Sequence, residues 1–427
     1  MGFLNSEKVI VGYDLRNDYT QISFSCSDVG DVETLSQATG TEHFNIPTVL
    51  CKRRDNGQWL YGNEAVRCSK EQNGVLITNL LDLAVQGNPI DVDGETMDPV
   101  SLLTLFFKRS LDRLTQTASV KKISAIMITC EEIDSRILEV LRIIVGALPV
   151  KAEKISFQSH AESFYSYAVH QPKELWTFQS ILFSYQNNTI KIYRMECNRR
   201  TKPIVAYIEE LEYQFFRVSP LSEIEGVRAK EIAQLDMGFL QVAQEVCANN
   251  MVSSIYLIGE GFEQNWMKES LKYLCRGRRV FQGNNLFSKG ACLGMQEKIN
   301  PSDLSKTHVF LGNDKLKANV GMKISKQGEE SYVALMDAGL NWYDTEKEME
   351  LYVRDGNEIA LTITPLTGKN GKLAQITLED FPEGPARIRL QLYMQTDRIL
   401  TVEIEDLGLG EFRPATGRIW KERIEIY

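Results

Sequence analysis

Val9-Ile-Val-Gly-Tyr-Asp-Leu-Arg-Asn-Asp-Tyr-Thr-Gln-Ile-Ser-Phe-Ser-Cys26 is the stretch from which the fold can be read outward. Val9 to Tyr13 is a strand, Asp14 to Asp18 a polar turn, and Gln21 to Cys26 sets Ile22, Phe24 and Cys26 alternately against polar neighbours. Two such strands on a short polar turn predict a β-hairpin. Ile46-Pro-Thr-Val-Leu50 follows, and Trp59-Leu-Tyr-Gly-Asn-Glu-Ala65 reads as a strand running into a helix. From Asp98 to Leu114, Leu102, Leu103, Phe106, Phe107, Leu111 and Leu114 recur at helical spacing. Ile123 to Thr129 is a nearly unbroken apolar run, the pattern of a strand covered on both faces. A helix over Ile133 to Ala147, a strand at Lys154 to Phe157 and a helix through Tyr167 complete a β-α-β-α alternation, the mark of an α/β layer structure.

A second unit of the same kind begins at Ser180 to Tyr185. It continues through Thr189 to Cys197, with strand-like stretches at Ile204 to Glu209 and Tyr213 to Val218. A long helix from about Ser222 to Ala248, the strand Ser254 to Ile258, the turn Gly259-Glu-Gly261, a helix over Phe262 to Cys275 and another over Phe287 to Gln296 follow. Beyond Asn300 the pattern turns to period two. Lys347 to Val353 precedes a turn at Asp355-Gly356-Asn357, and then Ile359, Leu361 and Ile363, Arg387 to Tyr393, Ile399 to Ile404 and Arg423 to Tyr427 alternate apolar with polar residues. That predicts an antiparallel all-β domain wet on one face of each sheet.

Composition bounds the function. At 427 residues the chain is long enough for two or three domains. Its 43% apolar and 25% charged residues are those of a globular protein. A formal charge of −9 argues against a nucleic-acid or membrane partner, both of which want a basic face. Lys52-Arg53-Arg54 and Arg276 to Arg279 read as solvated loop or helix-end charge. Met1 to Lys8 lacks a signal-peptide pattern, and no run approaches the ~20 apolar residues of a membrane span. Eight cysteines stand singly, as free thiols do in a reducing compartment, so a cytoplasmic location is expected. With four dispersed histidines, no metal site is expected.

The order of these pieces resembles the DnaK-type heat-shock chaperone family, within the actin-like ATPase-domain superfamily, as a divergent bacterial branch. Val11-Gly-Tyr-Asp14 resembles its first phosphate loop, and Ile46 to Leu50 with Tyr61-Gly-Asn-Glu-Ala65 the strand and helix after it. Ala125 to Thr129 is similar to its connecting segment, and Gln158 to Tyr167 lies where the family has an Asn-Glu-Pro-Thr-Ala helix. Gly259-Glu-Gly261 and Lys289-Gly-Ala-Cys-Leu-Gly294 are similar to its adenosine loop and closing helix. Phe381-Pro-Glu-Gly-Pro385 and Arg398 to Val402 resemble parts of its substrate-binding sandwich, and Thr307 to Gly312 falls at its apolar interdomain linker. The resemblance implies a two-lobed actin-like (ribonuclease H-like) nucleotide domain over 1–300, with lobe I at about 1–175 and a reduced lobe II at about 176–300. A β-sandwich over 301–427 follows, with no counterpart of the helical lid.

The family's chemistry is where the sequence departs. Phosphates in this fold class sit in two glycine-rich turns, because only glycine lets backbone N–H groups approach closely. Here the first turn is Asp14-Leu-Arg-Asn-Asp-Tyr-Thr20, without glycine, and Asp18 adds negative charge that Arg16 offsets in part. The second is Ser184-Tyr-Gln-Asn-Asn-Thr189, with Ser184 in place of the metal-side carboxylate. The family's catalytic lysine aligns with Val66, next to Arg67, and a further carboxylate with Ser159, short of Glu162. Phosphoryl transfer depends on positioning and charge neutralisation, so no catalytic residue is expected. Asp14, Arg16, Gly259 and Gly261 are the surviving candidates for ATP or ADP with Mg²⁺, and no cofactor is assigned to them. The expected role is a non-catalytic, DnaK-like binding or scaffold protein with a protein or peptide partner. The alternatives are a slow, divergent ATP-hydrolysing chaperone using Asp14, Arg16, Arg67 and Glu162, or an actin-like assembling protein.

Overall fold

The opening hairpin forms as β1 (Val9–Leu15) and β2 (Tyr19–Ser25) in the computed structural model. The structure describes every residue except 1–8, 27–30, 39, 118–122, 151–153, 216–223, 249, 327, 355, 367–370, 382 and 427. Every residue of both strands is buried. Short strands β3 (Glu33–Thr34) and β4 (Ile46–Pro47) pair with β2. A small sheet of β5 (Leu50–Arg53), β6 (Trp59–Tyr61) and β7 (Gly74–Ile77) holds α1 (Gly62–Lys70). Then come α2 (Leu80–Gln86), the hairpin β8 (Ile90–Val92) and β9 (Glu95–Met97), and α3 (Pro99–Thr117). β10 (Ile123–Cys130), α4 (Ser135–Gly146), β11 (Ile155–Ser159) and α5 (His160–Val169) complete the half. The sheet order is β11-β10-β1-β2-β3, with β10 and β11 parallel to β1 and β2 antiparallel. Asp134 caps α4 and Ser159 caps α5, each accepting a backbone N–H of the first turn.

The next segment repeats this plan. It consists of β12 (Gln179–Gln186), β13 (Thr189–Asn198), β14 (Ile204–Gln214), α6 (Glu225–Cys247), β15 (Val252–Ile258), α7 (Glu269–Leu274), β16 (Arg279–Gln282) and α8 (Leu286–Ile299). The order is β16-β15-β12-β13-β14, with a sixth strand, β17 (His308–Phe310), beside β14. The first five again place two parallel strands on one side of the first strand and an antiparallel hairpin and its continuation on the other. Asp14 pairs with Gln21 and Thr129 as Ser184 pairs with Lys191 and Ile258. Both parallel ladders slip near their start, at Val9/Ile10 and at Gln179/Ser180. The two sheets share one five-strand order and differ in their sixth strand, β4 on β2 in one and β17 on β14 in the other. Helix α8 lies on β1, where a Cβ on Gly12 would run into Ser288 O and Cys292 N. It meets α5 where a Cβ on Gly290 would run into Ser163 O.

Three expected elements differ. Ile204 to Glu209 and Tyr213 onward are one strand, because β14 is paired along the length of β13; residues 216–218 lie outside the described residues, as do 222–223 of the expected long helix. The helix expected over Phe262 to Cys275 is a single 3₁₀ turn (Glu260–Phe262) and then the short α7. Its start is displaced because Asp236 accepts from Glu269 N, Ser270 N and Ser270 Oγ, while Trp266 Nε1 donates to Gly261 O. The expected linker Thr307 to Gly312 is in part a strand, since α9 (Asp303–Thr307) leads straight into β17 (His308–Phe310).

Met1–Val309 is one compact unit and Phe310–Tyr427 a second. The second holds β18 (Ala318–Lys326), β19 (Glu329–Met336), β20 (Glu346–Val353), β21 (Glu358–Pro365), β22 (Lys372–Thr377), β23 (Ala386–Met394), β24 (Ile399–Gly408) and β25 (Ile419–Glu425). They form two antiparallel sheets, β19-β18-β21-β22 and β20-β23-β24-β25. The turn residue Asp355, Pro382 and Tyr427 lie outside the described residues. Ile388, Leu390, Leu392, Val402 and Ile404 are buried on one sheet, and Val320, Leu361 and Ile363 on the other. On the polar face Arg389 reaches Glu348 at 3.3 Å and Glu405 at 2.8 Å, half-exposed pairs worth little individually. Asp406 is buried where β24 leaves its sheet. Its carboxylate accepts from Arg413, Thr416 and Gly408 N. Burial raises this carboxyl, but the Arg413 and Thr416 donors outweigh it and hold it at about 2. Among the described residues no helix is long and apolar enough to cross a membrane.

Candidate functional site

The two hairpin turns of the duplicated sheets face one cleft of about 540 Å³. Leu15, Arg16, Asn17 and Asp18 line it from the first half and Ser184, Gln186, Asn187 and Thr189 from the second, with His160, Glu131 and Lys191. Local sequence explains the turns. Asn187 and Asn188 both have positive φ (46° and 66°), which suits the two-residue turn between Gln186 and Thr189 and which asparagine tolerates best after glycine.

Asp14 is completely buried at the end of β1. Arg16 Nε donates to its Oδ2 at 3.0 Å, and His160 Nε2 donates to its Oδ1 at 2.7 Å. Burial raises this carboxyl, yet Arg16 and then His160 outweigh it and hold it below the ordinary carboxylate range. His160 is pushed down, first by burial and also by the Arg16 charge, against the pull of Asp14. The ring stacks on Phe287 at 4.1 Å, and the Arg16 guanidinium lies over Tyr19 and Phe287 at 4.8 and 5.1 Å. Both carboxylate oxygens are thus taken by side chains of the protein itself.

Cross-links between the halves fill the rest. Gln186 Nε2 donates to Asp18 at 2.8 Å and to Glu260 at 3.0 Å, while its Oε1 accepts from Glu260 N at 3.3 Å. Lys191, on β13, reaches Glu131 at 3.1 Å and Glu132 at 3.7 Å beyond β10, and Glu210 at 3.3 Å on β14. Gly259 and Gly261 sit against Tyr185 of β12: Gly259 has φ +98°, and a Cβ at either position would run into Tyr185. Packing on a buried tyrosine accounts for both glycines. Val66 is half-buried beside Cys51, Ala65 and Cys68, and Arg67 is exposed on α1 away from the cleft lining. Ser159 and Glu162 form the N-terminal cap of α5, Glu162 N donating to Ser159 Oγ at 3.3 Å. The structure therefore brings Asp14, Arg16 and the 259–261 turn to one region and leaves Arg67 out.

ATP with Mg²⁺ does not fit these residues. The carboxylate that would face a metal is engaged by two cationic or donating groups, the turns offer no glycine cradle, and Asp18, Glu131, Glu132 and Glu260 would repel phosphate. Among the described residues no group of three or more His, Cys, Asp or Glu is placed to hold a metal ion. Gln186 stood out only as a residue in place of a turn glycine, and His160, Lys191 and Glu260 were not singled out as site residues. The one available signal was His160 at the start of the helix on which the family carries a carboxylate.

A family model described as the C-terminal part of a family of unknown function, DUF5716, matches residues 31–313, more than half of the chain. The chain belongs to the DUF5716 family. That match takes in the second hairpin, the 259–261 turn and α8, and begins after the first hairpin. A domain of unknown function, DUF8552, matches residues 315–426. The two matches meet close to the boundary between the compact units at Val309 and Phe310. No curated protein matches the chain.

Proposed function

We propose that this DUF5716 chain is a non-catalytic, DnaK-like binding or scaffold protein of the bacterial cytoplasm, with an actin-like first unit, a substrate-binding-like β-sandwich as the second, and a protein or peptide partner. The duplicated sheets of equal strand order, followed by an eight-stranded antiparallel unit, support the fold class. The loss of turnover rests on a single observation. Arg16 and His160 occupy both oxygens of Asp14 at the place where the resemblance puts nucleotide and metal.

Thermal melting with and without millimolar Mg-ATP and Mg-ADP tests this. A ligand at ~100 times its dissociation constant stabilises by about 2.7 kcal/mol, a shift of a few degrees. The expected result is no shift and no ATP hydrolysis; a clear shift overturns it. A second reading, a divergent and slow ATP-binding chaperone, draws on Arg16, which lines the cleft and whose Nη2 is buried without an acceptor. On that reading wild type shows the shift and Asp14→Asn abolishes it.

A further inference from the structure

A groove of about 700 Å³ opens on the second half of the first unit, away from the cleft residues described above. Its rim carries three large apolar side chains that the core does not use, Phe178 (48% exposed), Tyr207 (41%) and Met251 (65%). Such side chains are unremarkable singly, and their convergence on one depression is what marks a contact surface. The backbone that shapes it is firmly held. Gln179 N donates to Met251 O at 3.1 Å and Phe178 N to Ser253 Oγ at 2.9 Å. At the base, Gln179 Nε2 donates to Glu196 at 3.1 Å, while Gln179 Oε1 is buried and accepts no hydrogen bond.

Charge adds the second requirement. Glu196, which also lines the groove, accepts from Gln179 and from the Tyr207 hydroxyl and makes no ion pair with the turn beside it among the described residues. That turn reads Arg199-Arg200-Thr201-Lys202; Arg199 donates to Trp176 O at 3.5 Å, and none of the three cations forms an ion pair among the described residues. In a chain of net charge −9, exposed arginines without a carboxylate partner among the described residues, at the lip of this groove, are a local reversal of sign. The lip attracts carboxylates by charge complementarity.

We propose that this groove docks an extended segment of a partner protein in which an apolar side chain is flanked by aspartate or glutamate. The apolar residue packs among Phe178, Tyr207 and Met251, and the acidic flank meets Arg199 and Arg200. A nucleic acid fits less well, because the overall negative charge opposes a long polyanion. The proposal deepens the binding-protein reading by naming a surface and a partner chemistry.

The test is fluorescence anisotropy on the full chain, without nucleotide, using a short labelled peptide with a Leu-Phe centre and Asp/Glu flanks. The comparison probes are its Lys-flanked counterpart and a single-stranded RNA of equal length. Saturable binding of the acidic peptide is expected, weakened about tenfold or more by Arg199→Glu with Arg200→Glu and by Met251→Asp. Arg354→Glu, an exposed cation elsewhere, leaves it unchanged. Failure of the acidic peptide to bind at millimolar concentration, equal binding by the variants, or preference for the basic peptide or the RNA overturns the proposal. A melting shift with Mg-ATP would overturn the non-catalytic reading and leave the peptide result standing.

Discussion

Asp14 and Ser184 occupy the same place in two duplicated sheets, and their hairpins have lost a phosphate cradle in different ways. In the first half the site is filled with charge: a buried carboxylate, a guanidinium and an imidazole from a helix 146 residues away in sequence. In the second half it is closed by shape, a tight Asn187-Asn188 turn with a neutral serine at the strand end. Arg16 and Gln186, two residues beyond Asp14 and Ser184, show the same contrast, one holding a charge in its own strand and the other spanning the halves. A backbone duplication therefore leaves side-chain chemistry free to diverge, and the charged half is the one whose perturbation costs more.

The largest expected effect follows from that asymmetry. Asp14→Asn leaves the nearly buried Arg16 without its counter-charge and should cost about 3–5 kcal/mol in urea denaturation, against about 1 kcal/mol or less for Ser184→Ala. Equal costs would break the comparison. The pH profile sharpens it. The folded-state carboxyl is lowered, so its stabilisation is present above the ordinary carboxylate range and lost as pH falls through the lowered value. Wild type and Asp14→Asn should therefore converge in acid.

An intermediate effect is expected at the turn of the second half. Gly259→Ala forces a side chain to a φ of +98° against Tyr185 and should cost about 2 kcal/mol by thermal melting. A neutral result would mean that β15 and β12 tolerate separation there. The smallest effect belongs to the bridge between the halves. Lys191→Ala removes contacts to Glu131 and Glu132, both largely exposed, and to Glu210, which is less so. The expected cost is about 1 kcal/mol or less, falling further with added salt. A larger loss, insensitive to salt, would show the halves to be held mainly by that lysine.

Pattern in the sequence was enough to place β1, β10, β12 and β15, largely apolar runs, and β2 and β13, which alternate apolar with polar residues. It missed β18, although Ala318, Val320, Met322 and Ile324 alternate there, and β19, which opens on Glu329-Glu330-Ser331 without an apolar alternation, and it overextended the helix at Phe262. The absence of glycine from both turns was likewise legible, since it depends on residue type alone. Tertiary structure alone decided what stands in the cradle's place. His160 meets Asp14 across 146 positions and Gln186 meets Asp18 across 168, and no local pattern encodes a pairing that exists only when two sheets close on each other. The same holds for Gly259 and Gly261. The sequence offers them equally to a ligand or to a neighbour, and the position of the Tyr185 ring assigns them to packing. Sequence determines which residues are present at each strand end, and the close approach of distant backbones determines what those residues touch.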